Sequence, residues 1–188
     1  MVEPTLDWEQ VAREAKEIAD AHGWNDPPED DATHSVNVLC ELFEAWQLYR
    51  AGHEVDEPIT CEGAGCQMRE VCKQPCEQYK PSGIAVELAD AVLRALSRTG
   101  EVATSMSYTL GEYYAHRAPT VTAPPEVFLH RIVNIASDLT AGTDEACACV
   151  AANIVVWCEG FGVPLEDAIR QKMEYNRKRP WRHGGKRV

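Results

Sequence analysis

SVNVLCELFEAWQLYR, residues 35–50, decides the fold of this chain. Val38, Leu39, Leu42, Phe43, Trp46 and Tyr49 recur at intervals of three and four, the period of an amphipathic helix. The spacing predicts a helix from about Thr33 to Arg50, ended by Ala51-Gly52, with Glu41 and Glu44 off the centre of its apolar side. Residues three apart on a helix share a face, with Cβ atoms about 5–6 Å apart. The pattern returns in IAVELADAVLRALSR, residues 84–98. There Ala85, Leu88, Ala89, Val92 and Leu96 make the apolar stripe, and Glu87, Asp90 and Arg94 lie together nearly opposite it. One carboxylate pair of this kind is ordinarily a solvated helix face. Two pairs on two helices packed side by side would gather Glu41, Glu44, Glu87 and Asp90, an oxygen-rich site of the kind hard divalent cations such as Mg²⁺ favour.

Working outward, Trp8, Val11, Ala12, Ala15, Ile18 and Ala19 predict a helix over 6–22, with Gly23 as its C-terminal cap. Asn25 to Asp31 is a loop by its proline and aspartate content. Tyr108–Arg117, Glu126–Thr140 and Asp144–Glu159 predict further helices, with a proline-rich loop between the first two. Gly160 and Gly162 break the chain, and Pro164 suits the start of a last helix, Leu165–Arg177. No stretch reads as a strand and no repeat is visible. The expected fold is all-α, an antiparallel helical bundle forming a single domain over 1–188, with residues 52–80 as a cysteine-rich insert.

The chain has 188 residues, 45% of them apolar, enough for one sizeable core. No apolar run approaches the roughly 18–20 residues of a membrane span, and MVEPTLDWEQ, acidic and polar with no basic region followed by an apolar one, is not expected to act as a signal peptide. A cytoplasmic protein that does not engage membranes is expected. The formal charge of −12 argues against broad nucleic-acid binding. The last twelve residues, RKRPWRHGGKRV, are strongly basic against this acidic body. That asymmetry fits a protein holding metal ions and a small polyanion.

Four of the eight cysteines, Cys61, Cys66, Cys72 and Cys76, crowd into the insert at spacing C-x4-C-x5-C-x3-C. In a reducing compartment such a cluster points to metal rather than disulfides. Four thiolates suit a structural Zn²⁺, and an iron–sulfur cluster accepts the same set. His53 can stand in for one cysteine, and unligated or disulfide-linked thiols remain the other alternative. Cys40, Cys147, Cys149 and Cys158, scattered through helical patterns, are expected to be buried and inert.

Lys172, Asn176 and Arg179, at i, i+4 and i+7, make one polar stripe. With His183 and Lys186 beyond it, and Gly184-Gly185 allowing close backbone approach, they form a candidate phosphate-binding edge. A solvated helix end, where cations complement the dipole, is the competing reading. Arg94, one turn after Asp90, is a further phosphate contact or a partner for the acids. Trp24, Trp46 and Trp181 are candidates to stack on a base, Trp46 being more in keeping with core packing, and His34 reads as a surface residue.

Residues 40–50 (CELFEAWQLYR) resemble the first metal helix of MazG-like nucleotide pyrophosphohydrolases, and residues 80–90 (KPSGIAVELAD) resemble the second with its lead-in. GVPLEDAI at 162–169, followed by Lys172, Asn176, Arg179-Pro180 and His183-Gly184-Gly185-Lys186, is similar to the end of phage-type members. The three blocks stand in the family's order and span about Val36 to Lys186. The resemblance implies the all-α NTP pyrophosphatase fold and cleavage of an NTP or dNTP between the α and β phosphates, yielding the monophosphate and pyrophosphate. It implies Glu41, Glu44, Glu87 and Asp90 as ligands of Mg²⁺, or of Mn²⁺. It also implies a homo-oligomer, dimer or tetramer. Mg²⁺ would neutralise the triphosphate and activate water, with one of the four carboxylates as general base; helical position favours Glu44, but the sequence does not choose among them. The gap from Glu44 to Glu87 is longer than family members usually show, and the cysteine insert fills it. A non-catalytic nucleotide-sensing or partner-docking module is the alternative.

Overall fold

Trp8, Val11, Ala12, Ala15, Ile18 and Ala19 are the residues that α1, Trp8–Ala21, buries. The structure, a computed structural model, describes residues 6–26, 30–61, 80–98, 101–116, 123–137 and 144–181. Asp7 caps α1 by accepting from the amides of Glu9 and Gln10, each at 3.1 Å. At the other end the Gly23 amide reaches the Asp20 carbonyl and the Trp24 amide reaches that of Ala19, a Schellman closure with Gly23 at φ +69°. A Cβ on Gly23 would lie 2.6 Å from Trp181 Cε2. Gly23→Ala is therefore expected to displace the Trp181 indole and to cost about 1–2 kcal/mol, chiefly backbone strain. Urea unfolding and tryptophan emission check this, and an unchanged midpoint would contradict it.

Among the described residues there are six further helices: α2 Asp31–Arg50, α3 Ile84–Leu96, α4 Glu101–His116, α5 Pro125–Ser137, α6 Asp144–Phe161 and α7 Leu165–Arg177. These residues are all-α apart from one two-residue antiparallel pairing that the sequence does not announce. Thr60–Cys61 (β1) pairs with Pro81–Ser82 (β2), Thr60 opposite Ser82 and Cys61 opposite Pro81. This pairing closes the neck of the cysteine insert. Cys66, Cys72 and Cys76, and the side chain of Cys61, lie outside the described residues.

α3 is the central helix, packed by α1, α2, α4, α6 and α7. Ten of its thirteen residues are buried, and the three that are not are Glu87, Asp90 and Arg94. A helix apolar on nearly every side has to be enclosed. α6 is enclosed in the same way from Cys147 to Cys158, Cys149 alone being half-buried. Its Trp157 stacks on Phe128 of α5 with centroids 4.2 Å apart, and donates Nε1–H to the Ala123 carbonyl at 2.8 Å. Arg98, just past α3, ties Asp31 of α2 to Asp144 of α6.

Three sequence expectations change. α4 begins at Glu101 rather than Tyr108 because Val102, Met106 and Leu110, four apart, carry its burial; the polar residues between them hide the period. α2 presents Val38, Glu41, Leu42 and Ala45 inward, leaving Phe43 47% exposed. Among the scattered cysteines Cys147 and Cys158 are buried, with burial pushing Cys147 up to about 11, whereas Cys40 is exposed. No helix among the described residues is long and apolar enough to cross a membrane.

Candidate metal centre

The polar stripe of α3 does not face solvent. It looks into a seam between α2 and α7, where each of its three charged residues meets charged groups from a neighbouring helix. Arg94 Nε donates to Glu41 Oε1 at 2.6 Å, and Lys172 Nζ on α7 pairs with Asp90 Oδ2. Glu87, at the near end of the stripe, meets the two α2 acids. Carboxylate oxygens of Glu41, Glu44 and Glu87 lie within 4.8 Å of one another. Glu41 is buried, Glu87 half-buried and Glu44 exposed, so the group opens outward through Glu44.

Holding three carboxylates this close is unfavourable without a cation. Two unit charges 4.8 Å apart repel by roughly 3 kcal/mol at an effective dielectric of about 20. Burial, more than this repulsion, raises the two inner acids. Burial, then the negative charge of Asp90, pushes Glu41 above the usual carboxylate range, with Arg94 partly offsetting it. Burial raises Glu87 to about 7, against the relief supplied by Lys172 and with Asp90, Glu41 and Glu44 adding to the rise. Opposite ligands of a Mg²⁺ ion stand about 4 Å apart, and those of a larger cation somewhat farther. The three acids can therefore hold one divalent ion with little side-chain movement. Asp90 stands outside this group, its oxygen engaged by a lysine whose side chain is only 6% exposed.

Beside the acids lies a pocket walled by α1, the turn after it, α2, α3 and α7. Asp90, Arg94 and Arg179 all line it, and Arg179 is near enough to Asp90, Arg94 and Glu41 to feel their charges. The Arg179 guanidinium sits 5.6 Å from the ring centroids of both Trp24 and Tyr175. Its burial lowers its pKa from the ordinary guanidinium value. Trp24 also lines the pocket, whereas Trp46 is half-buried beside Tyr49 and Trp181 lies exposed over Gly23. Of the expected phosphate edge, Arg179 reaches the pocket and Lys172 is buried against Asp90; Arg94, the separate candidate contact, lines the pocket while bonded to Glu41. Asn176 is buried in the pocket wall, with no hydrogen-bond partner for Oδ1 among the described residues. His183 and Lys186 lie outside the described residues.

The structure adds residues that the sequence does not single out. His34, read as surface, is 7% exposed and lines the pocket. The signal is its position two helical turns before Glu41, on the same face of α2. Asn25 and Ser97 also line the pocket, with nothing in their local sequence to mark them.

No protein-family model, no curated protein and no solved structure matches the chain. The functional reading therefore stands on the three sequence blocks and on this geometry.

Proposed function

We propose that the chain is a divalent-cation-dependent nucleotide pyrophosphohydrolase, releasing pyrophosphate from an NTP or dNTP. The observation that carries the reading is the single polar stripe of an otherwise enclosed helix, turned onto a carboxylate group on one side and a guanidinium-lined pocket on the other. Mg²⁺, or Mn²⁺, held by Glu41, Glu44 and Glu87, would neutralise phosphate charge and lower the pKa of a bound water. Glu44, the exposed member, accepts the proton of the attacking water. Water oxygen bonds to phosphorus as the bond to the bridging oxygen between the α and β phosphates breaks, and pyrophosphate leaves. Arg94 and Arg179 bind phosphate oxygens, and Trp24 offers a ring face for the base. Arg94 holds Glu41 in position through the same guanidinium, and Lys172 holds Asp90.

The proposal includes a homo-oligomer, dimer or tetramer, for which Val36 and Phe43, exposed and seven residues apart on α2, supply an apolar face. It also includes a tetrahedral Zn²⁺ at Cys61, Cys66, Cys72 and Cys76, with an iron–sulfur cluster as the alternative. Elemental analysis for zinc and iron decides between them.

Full-length protein with millimolar Mg²⁺ is expected to release pyrophosphate from at least one common NTP or dNTP, and to lose that activity in EDTA. Folded protein that leaves every one of them intact would overturn the enzyme reading. Nucleotide binding without turnover would establish the sensing module in its place.

A further inference from the structure

The pocket beside the acids has two polar groups, Asn25 and Ser97, whose hydrogen-bonding direction is set by their neighbours, and a third, Asn176, whose buried carbonyl oxygen faces no donor among the described residues. Asn25 Nδ2 donates to Asp20 Oδ1 at 2.8 Å. A carboxylate only accepts, so the amide cannot be turned about, and Asn25 Oδ1 is left as the acceptor. Ser97 Oγ–H donates to the Arg94 carbonyl at 3.0 Å, which commits its one hydrogen and leaves only lone pairs. Asn176 is 8% exposed, and its Oδ1 is buried with no partner among the described residues. All three line one pocket, whose walls include Ile18, Met173 and the Trp24 indole. Native structures rarely leave a buried acceptor unsatisfied, and a ligand donor is an ordinary resolution.

An acceptor at Asn176 is badly suited to phosphate oxygens, which are acceptors too. The positive charge of the pocket lies with Arg94 and Arg179 instead. The apolar, acceptor-bearing part, with the Trp24 ring in its wall, suits a ring that carries several N–H groups. Resting on the nucleotide reading above, we infer that this pocket selects an amino-bearing nucleobase, of the cytosine, adenine or guanine kind, over one whose corresponding position is an oxo group or hydrogen. An amino group meets these acceptors with two N–H bonds. An oxo group turns lone pair toward lone pair. Sites built to hydrogen-bond a substrate group discriminate strongly against analogues that lack it, because their own polar atoms are then left unpaired.

Two matched pairs test this with full-length protein and Mg²⁺. CTP and UTP differ at the 4-amino or 4-oxo group, and GTP and ITP by the 2-amino group alone. We expect kcat/KM for the amino-bearing member to be at least about tenfold higher in each pair. The ratio should fall toward one in Asn176→Leu and in Ser97→Ala; a folded variant with an unchanged ratio would overturn the inference, and two variants guard against one that fails to fold. Equal turnover within both pairs overturns the inference and leaves the enzyme reading standing. If no nucleotide is hydrolysed, the enzyme reading fails and binding decides the inference: CMP over UMP and GMP over IMP by calorimetry supports it, and equal or absent binding ends it.

Discussion

Glu87→Gln is expected to lower pyrophosphate release by on the order of 100-fold or more at saturating Mg²⁺, while making the metal-free fold more stable at neutral and alkaline pH. Both effects come from one cause. Glu87 has been taken out of water and set beside Glu41 and Glu44, so its carboxyl keeps its proton up to about 7 against an ordinary value of 4.5. Between those two pH values the folded chain holds a proton that the unfolded chain has released. Stability is then fully present at and below about pH 4.5 and is lost as pH rises through about 7. The loss amounts to on the order of 3 kcal/mol at about 1.4 kcal/mol per unit. Glutamine is neutral throughout, so the variant lacks this slope. On the proposed reading, a divalent ion would supply the missing positive charge. Adding Mg²⁺ or Mn²⁺ at pH 8 should raise the melting temperature of the parent protein and leave that of Glu87→Gln nearly unchanged. Thermal melts across pH with and without the ion read all of this. Undiminished turnover in the variant would remove Glu87 from the metal group. Equal pH slopes would show that its carboxyl is not strained in the metal-free protein.

The sequence lays out α1 and α7 well because each has a plain apolar stripe on a polar helix, and the expected 165–177 span is the span found. α3 is the instructive case. A helical wheel places Glu87, Asp90 and Arg94 opposite an apolar stripe, which reads as a solvent face. Yet Ile84, Val86, Ala91, Leu93 and Ala95 fall outside that stripe and are apolar too. A helix so rich in apolar side chains is enclosed, and its few charged residues then have to find charged partners. Those partners are remote: Arg94 meets Glu41 from 53 residues away. Periodicity carries no information about which helix lies across a seam. For the same reason α2 puts Glu41 inside and Phe43 outside, against the hydrophobicity of each taken singly. His34, Asn25 and Ser97 become visible only when α1, α2, α3 and α7 are brought around one pocket.

Lys172→Met tests the other half of the seam, and about 3–5 kcal/mol of stability is expected to be lost at pH 7. Lys172 and Asp90 have side chains 6% and 15% exposed, so the pair is almost fully removed from water. Removing the cation strands the Asp90 carboxylate among Glu41 and Glu87, whose titration its charge already disturbs. Replacing both partners should cost much less than Lys172→Met alone, because no buried charge is left uncompensated. Asp90→Asn/Lys172→Met in a urea double-mutant cycle, with both single variants, gives the coupling directly. The same proteins separate two roles for Asp90. Engaged by Lys172, it organises the seam without holding metal, and Asp90→Asn should keep Mn²⁺ affinity within about tenfold even as stability falls. A ligand would instead lose most of that affinity on the same substitution. A cost below about 1 kcal/mol for Lys172→Met would mean that the pair behaves as a solvated surface bridge. Asp90 would then be available to turn toward Glu41, Glu44 and Glu87 as a fourth carboxylate.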